Sequence, residues 1–354
     1  MNALTVSFCL PCYNVEPYVA ACIESICMQG LSEDAFEILC VDDCSTDGTY
    51  AALLELQKAY PNLRIIQNER NRGVSFSRNA LIRESRGTYI WFVDPDDLLC
   101  TNAVPAFLEA AERHSADVLV GNYHRIAETD TVDAYHPVST PSDYIPQPLN
   151  ESTLPEDQNH TLMNAIWAGP MRRSFLLENH LRFHEKLMTQ EDTLLYYEIS
   201  VKSEKFLKVS AISYLYRQRA SSVMNTHTEA RNRRTYDTML ELLRAYLEHL
   251  KRGEYTDRNR LEEKIWHSRQ NVAACLAALS DKSFIREQLK VLKANHIYPY
   301  RLRLDAMKGS DGFPVKLLRF LLPIQPFFWL YHTVYQSYNH RRNGSSHTVD
   351  ESDS

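Results

Sequence analysis

Tyr89-Ile90-Trp91-Phe92-Val93-Asp94-Pro95-Asp96-Asp97-Leu98 is an aromatic and β-branched run that ends in three carboxylates within four positions. Preceded by Gly87, the run reads as a buried strand. Its acids then fall at the C-terminal end, where an open parallel sheet keeps its ligand crevice. Carboxylates this close repel one another, and their hard oxygens suit Mg²⁺ or Mn²⁺.

Upstream, the same grammar repeats. Thr5 to Leu10 is a β-rich run stopped by Pro11, and Phe36 to Val41 is a second that ends in Asp42-Asp43. Leu63 to Gln67 is a third, followed by the polar loop Asn68 to Gly73. Between these runs, apolar residues recur at helical spacing: Val19, Cys22, Ile23 and Ile26, then Leu53, Leu54 and Leu56, then a helix over Val74 to Ser85. Helices around Val104 to Glu112 and a strand at Asp117 to Val120 continue the alternation. This predicts an α/β fold, a mostly parallel Rossmann-like sheet sandwiched by helices, with polar strand ends gathered at one edge.

After Tyr123 the alternation stops. Asp133 to Pro155 is Pro-rich and reads as a long excursion. A helix around Ser174 to His180, a helix over Thr193 to Val201 headed by Gln190-Glu191-Asp192, and a strand over Phe206 to Tyr216 follow. From Glu229 to Asn295 the spacing is helical, with a break near Gly253. The run from Val315 to Tyr335 is rich in Leu, Phe and Trp, is interrupted by Pro323 and Pro326, and is followed by Arg341-Arg342. It suits a segment lying in a membrane interface, or equally a terminal helix docked on the protein's own core. The divisions expected are 1–125, 126–225, 226–310 and 311–354.

At 354 residues, 44% hydrophobic and 24% charged, the composition is that of a globular protein with room for two domains. A formal net charge of -6 argues against a general nucleic-acid binder. Seven of the eight cysteines precede Thr101. Cys9-x-x-Cys12 and Cys40-x-x-x-Cys44 lie in or beside strand-like runs without a second ligand pair, so buried free thiols and a reducing compartment are expected. The N-terminus has no signal-peptide pattern and no apolar run reaches membrane-spanning length, which points to a cytoplasmic protein, at most peripheral on the inner membrane face.

Val6-Ser7, Pro11-x-Tyr13-Asn14, Val41-Asp42-Asp43-x-Ser45-x-Asp47-x-Thr49, Asn71-x-Gly73 with Arg78-Asn79, and Asp94-x-Asp96-Asp97 occur in one order. Together, over Thr5 to about Ser222, they resemble the family 2 glycosyltransferases of the GT-A fold, the inverting, nucleotide-sugar-dependent type that builds bacterial surface polysaccharides. The resemblance implies Asp96 as direct metal ligand with Asp94 beside it, and Asp97 as structural. It implies Asp43 at the nucleobase, with Pro11, Tyr13 and Asn14 around the donor, Arg78 on the diphosphate, where the pattern alone fits an ordinary exposed helix arginine equally, and Arg217 and Arg219, with Ser222, near the donor phosphates or in a closing loop. Asp192 is the implied catalytic base, with Glu191 orienting it or meeting the acceptor. Trp167 and Arg172 would border the acceptor groove, although a core role fits Trp167 as well. Mn²⁺ or Mg²⁺ is the implied cofactor, a UDP-sugar the donor, and a glycan or lipid-linked glycan the acceptor. A sugar-1-phosphate nucleotidyltransferase would need a Gly-rich N-terminal loop, which Pro11-Cys12-Tyr13-Asn14 is not. Intact Asp94, Asp96 and Asp192 argue against a non-catalytic scaffold.

Overall fold

The computed structural model describes residues 4–131, 147–148, 166–219, 229–298, 328–329 and 332–333. Most of the Asp133–Pro155 excursion, Ser222, and most of the Val315–Tyr335 run and its basic flank lie outside the described residues. The chain divides into two compact units, 1–225 and 226–354.

In the first unit, nine strands among the described residues form one sheet in the order β3-β2-β1-β4-β8-β6-β9-β5, with β7 also paired to β9. β1 (Val6–Cys12), β2 (Phe36–Asp42), β3 (Leu63–Gln67) and β4 (Tyr89–Phe92) are mutually parallel. α1 (Val19–Cys27), α2 (Thr49–Ala59) and α3 (Val74–Glu84) connect them in turn. β2 is buried at every position, as its unbroken apolar run requires of a strand covered on both faces.

Beyond β4 the sheet is mixed. β5 (Leu98–Leu99), α4 (Ala103–Arg113) and β6 (Val118–Ala127) come next, then β7 (Gln147–Pro148), β8 (Met171–Arg172), α5 (Arg173–Glu178), α6 (Glu191–Lys202) and β9 (Phe206–Gln218). β8 runs antiparallel between β4 and β6, whereas β6 and β9 are parallel. The expected parallel character therefore holds for the first half of the sheet. At Gly169, just before β8, a Cβ would stand 2.0 Å from the Leu119 carbonyl oxygen, so only glycine lets the two backbones approach this closely.

The core joins both halves of the sheet. Trp91 is fully buried, with Phe8 and Phe107 rings at centroid distances of 6.3 and 5.4 Å, and its indole N–H donates to the Trp167 carbonyl at 3.0 Å. Trp91→Ala is expected to lower the unfolding free energy by about 3–5 kcal/mol; urea unfolding measures this, and a loss below about 1 kcal/mol would contradict the packing described. All eight cysteines are free, as expected, and burial pushes the Cys9 thiol well above its usual range.

The second unit contains α7 (Glu229–Arg252), α8 (Arg258–Ala277) and α9 (Lys282–Ala294). Asp257 and Asp281 cap α8 and α9 by accepting from the backbone N–H groups that open each helix. Arg233 on α7 bonds Asp281 at 2.7 Å, and the Tyr236 hydroxyl meets Gln288 at 3.1 Å, fastening α7 to α9.

Candidate active site

Parallel register delivers the polar residues to one edge. Cys12 pairs with Asp42, and Cys9 with Phe92, so the residues after β1, β2 and β4 leave the sheet side by side. Pro11 lies within β1 opposite Val41. Tyr13 is 44% exposed there, and the Asn14 side chain accepts from the Thr46 N–H at 2.8 Å, shaping the turn after β2. Asp43 is 3% exposed. Its carboxylate accepts from the Asn68 amide at 2.7 Å, the Arg72 N–H at 2.9 Å and the Gly73 N–H at 2.7 Å. It therefore ties down the 68–73 loop, and with about four acceptor positions on a carboxylate one remains for a further donor.

The three acids of the opening stretch have three different settings. Asp94 accepts from Arg78 Nη2 at 2.9 Å, and its backbone N–H donates to the Tyr214 hydroxyl at 3.0 Å. Asp96 pairs with Arg219 at 2.7 Å. Burial, with Asp94 beside it, raises the Asp96 carboxyl above its usual range, Arg219 opposing. Asp97 is 2% exposed and accepts from the Arg217 backbone N–H at 2.7 Å, pinning the end of β9 to the end of β4. Burial and the neighbouring acids raise it well above the usual range.

Arg78 projects from α3 and is 5% exposed. Its Nη1 donates to Glu191 at 2.7 Å while Nη2 holds Asp94, so one guanidinium joins two carboxylates 97 positions apart in sequence. Burial opposes its charge, but Asp94 and Glu191 outweigh burial and hold its pKa above the usual value. In this structure Arg78 bridges two carboxylates through its terminal nitrogens, and its buried Nε–H makes no hydrogen bond. The same helix grips the loop leading into α6. Asn79 donates to the Phe183 carbonyl at 2.9 Å and accepts from the Phe183 N–H at 2.8 Å, and the Ser75 hydroxyl donates to the Leu187 carbonyl at 3.2 Å.

Glu191 and Asp192 open α6, in its first turn, where the helix dipole favours negative charge. Asp192 nevertheless has its carboxyl pushed up to about 7, by burial first and by Glu191 second, with Arg78 opposing. A carboxylate poised near neutrality can take up a proton at working pH.

Three expected site residues lie elsewhere. The Arg217 guanidinium is committed to backbone carbonyls of Asp96, Glu128 and Asp130, so it crosslinks β9 to two loops rather than facing a donor. Trp167 is a core ring, stacked on Tyr214 at 4.2 Å and 18° and packed by Tyr123 and Tyr216. Stacking on a sugar is therefore closed to it. Arg172 pairs in register with Tyr89, at the N-terminal end of β4, and lies over that ring at 5.2 Å. Asp94 is five positions further along, about 16 Å at strand rise, so Arg172 does not border the acid edge. Conversely, Tyr214 and Tyr18 escaped the sequence reading. Tyr18 lies beneath both Arg217 and Arg219, at 5.9 and 5.3 Å. The signal for Tyr214 was the alternation Tyr214-x-Tyr216 in a strand, which puts both rings on one face.

Among the described residues no three His, Cys, Asp or Glu side chains converge as a protein-only metal cage. Asp94 and Asp96 still present two carboxylates whose mutual repulsion a cation would relieve. Mg²⁺-type sites are commonly made of one or two carboxylates completed by substrate phosphates, and this donor set fits that pattern.

Parallel strands with an acid-rich C-terminal edge, extended by a mixed half beside a second acid pair, define an α/β domain of GT-A type. Residues 7–180 match the sequence profile of glycosyl transferase family 2, and the chain carries a domain of that family. It is 25% identical over 217 residues to the poly(ribitol-phosphate) β-glucosyltransferase of Bacillus spizizenii, a match covering 60% of this chain and 32% of that one. It is 26% identical over 325 residues to the processive diacylglycerol β-glycosyltransferase of Mycoplasma pneumoniae, covering 84% of this chain and 91% of that one. The crystal structure of S. aureus TarS 1-349 in complex with UDP-GlcNAc superposes with a TM-score of 0.60 at 22% identity, covering 95% of this chain and 92% of that one. The chain thus spans about a third of the Bacillus relative's length. Among the described residues no helix is long and apolar enough to cross a membrane.

Proposed function

We propose that this chain is an inverting glycosyltransferase that moves one sugar from a nucleotide-diphosphate donor, a UDP-sugar, to a hydroxyl of a growing glycan in cell-surface polysaccharide synthesis. The observation that carries the reading is the Asp94–Arg78–Glu191 bridge, which couples the donor edge to the helix bearing Asp192. The family supports the reaction class.

Asp43, with Pro11 and Tyr13 beside it, receives the base: its remaining acceptor position suits a ring N–H such as that of uracil. Asp96 and Asp94 would hold Mg²⁺ or Mn²⁺. Such a cation neutralises charge building on a leaving diphosphate. Arg219 is a partly exposed cation on this edge, and exchanging Asp96 for a donor phosphate would keep its charge compensated. Asp192 takes the proton of the acceptor hydroxyl as its oxygen attacks the anomeric carbon from the face opposite the diphosphate, which inverts configuration. Glu191, held by Arg78, sets the orientation of the α6 N-terminus. Phe328 and His332 of the tail are buried on the second unit, and the aromatic residues of the run around them would meet the membrane peripherally and bring a lipid-linked acceptor within reach.

A donor-hydrolysis screen of nucleotide sugars with Mn²⁺ and with chelator tests this. One UDP-sugar is expected to be turned over at least about a hundredfold faster with the metal, the scale of several kcal/mol of charge stabilisation. Equal turnover in both conditions removes the cation from the reaction, and no turnover of any nucleotide sugar overturns the function.

A further inference from the structure

α9 carries a second chemical feature unrelated to the acid edge. Lys282, Arg286, Lys290 and Lys293 line a cleft of about 660 Å³ together with Trp329 and His332. The four cations sit at i, i+4, i+8 and i+11, which at 100° per residue keeps them within one stripe of the helix. All four are exposed, and among the described residues none has a carboxylate in ion-pair contact. Asp281, the acid adjoining the stripe, is occupied in capping α9 and in binding Arg233. Glu287 borders the stripe, about 60° around the helix from Lys290, but no ion pair joins the two among the described residues. In a chain of net charge -6, four cations in one cleft, without a carboxylate partner among the described residues, mark a site for an anion.

The opposite wall is aromatic and fixed. His332 is 4% exposed and its Nδ1 donates to the Ala277 carbonyl at 2.7 Å, seating this turn on the end of α8. Trp329 packs edge-to-face on His332 at 5.6 Å. Lysine and arginine beside a tryptophan is the side-chain set of a membrane–water interface. The wall also belongs to the Val315–Tyr335 run, whose sequence is apolar and aromatic on either side of Trp329 and ends in Arg341-Arg342. In sequence, the apolar run and the aromatic wall therefore belong together, the side-chain combination that a segment meeting headgroups and acyl chains requires.

We infer that the cleft between α9 and the Trp329, His332 and Thr333 side chains binds the phosphate of an anionic phospholipid headgroup, anchoring the second unit at a membrane surface. This rests on the membrane-contact reading of the tail and assigns that contact its polar half. Each cation near an anionic surface strengthens binding about fivefold, and the attraction falls with salt.

The test is vesicle co-sedimentation of the full chain with phosphatidylcholine alone and with 30 mol% phosphatidylglycerol. The wild-type chain is expected to prefer the anionic vesicles and to be released by high salt. The fourfold variant Lys282→Glu, Arg286→Glu, Lys290→Glu, Lys293→Glu is expected to bind them at least about a hundredfold more weakly. Each pairwise reversal should lose about tenfold or more, and a fourfold Lys/Arg exchange should lose little. Unchanged donor hydrolysis and thermal unfolding confirm that the reversed chain is folded. If the fourfold variant binds as the wild type does, while truncation before Phe313 abolishes binding, the headgroup site is overturned and the tail reading stands. Retained binding after truncation overturns the tail reading, and retained binding by a truncated chain that also carries the fourfold reversal overturns both. Binding of soluble poly(glycerol phosphate) through these same residues, without preference for anionic vesicles, would assign the cleft to a polymer acceptor instead.

Discussion

Replacing Asp192 with asparagine is expected to lower kcat for sugar transfer about 1,000-fold while leaving donor affinity unchanged, because general-base catalysis contributes about 10²–10⁴-fold. Asparagine keeps the shape of the side chain at the start of α6 and still accepts from the Thr193 N–H, which bonds Asp192 Oδ1 at 3.0 Å. Only the proton affinity is lost. In the wild-type enzyme the carboxyl is pushed up to about 7, chiefly by burial. Protonated, it cannot accept a proton, so kcat/KM should rise about tenfold per pH unit below about 7 and level off above it. A flat profile between pH 5 and 8, or full activity in Asp192→Asn, would assign the base elsewhere.

Arg78→Met is expected to be the most destabilising single change at the site, by about 3–5 kcal/mol, since it leaves two desolvated carboxylates without their cation. Asp94 and Glu191 both depend on that one guanidinium. Lysine should rescue poorly, because a point charge cannot replace a forked donor that reaches two partners. Adding Glu191→Gln should restore part of the stability, a coupling that a double-mutant cycle in urea measures. The variant has a second readout. Arg78 lowers the Asp192 pKa, so in any Arg78→Met enzyme that folds, the pH profile should move upward. Additive effects of the Arg78 and Glu191 changes would show that the bridge is not an energetic unit.

These two residues show what could be read in advance. The acid edge was legible because strands announce themselves by apolar runs, and a parallel sheet places every strand end on the same side. Asp43, Asp94 and Asp96 followed from that geometry. Glu191 and Asp192 entered through the family's motifs, since acids at a helix N-terminus are otherwise unremarkable. The Arg78–Glu191 contact spans 113 positions, and no local period records such a distance. β8 was invisible for another reason: a two-residue strand is too short to show alternation. The core alternative for Trp167 is the one the structure takes, and the position of β8 decides which end of the sheet Arg172 faces, which no local pattern records. Arg217 belonged to the expected motif, yet what its guanidinium touches depends on where the loops around Glu128 and Asp130 fold.

The grip of α3 on the loop before α6 constrains how this enzyme can be recombined. Ser75, Arg78 and Asn79 reach Leu187, Glu191 and Phe183, so a helix encoded early in the chain sets the position of the α6 N-terminus encoded late. A chimera that grafts another enzyme's acceptor half downstream of residue 125 separates those partners. The productive crossover is a double one: α3 must travel with the 181–192 segment, and the strands around it can come from either parent.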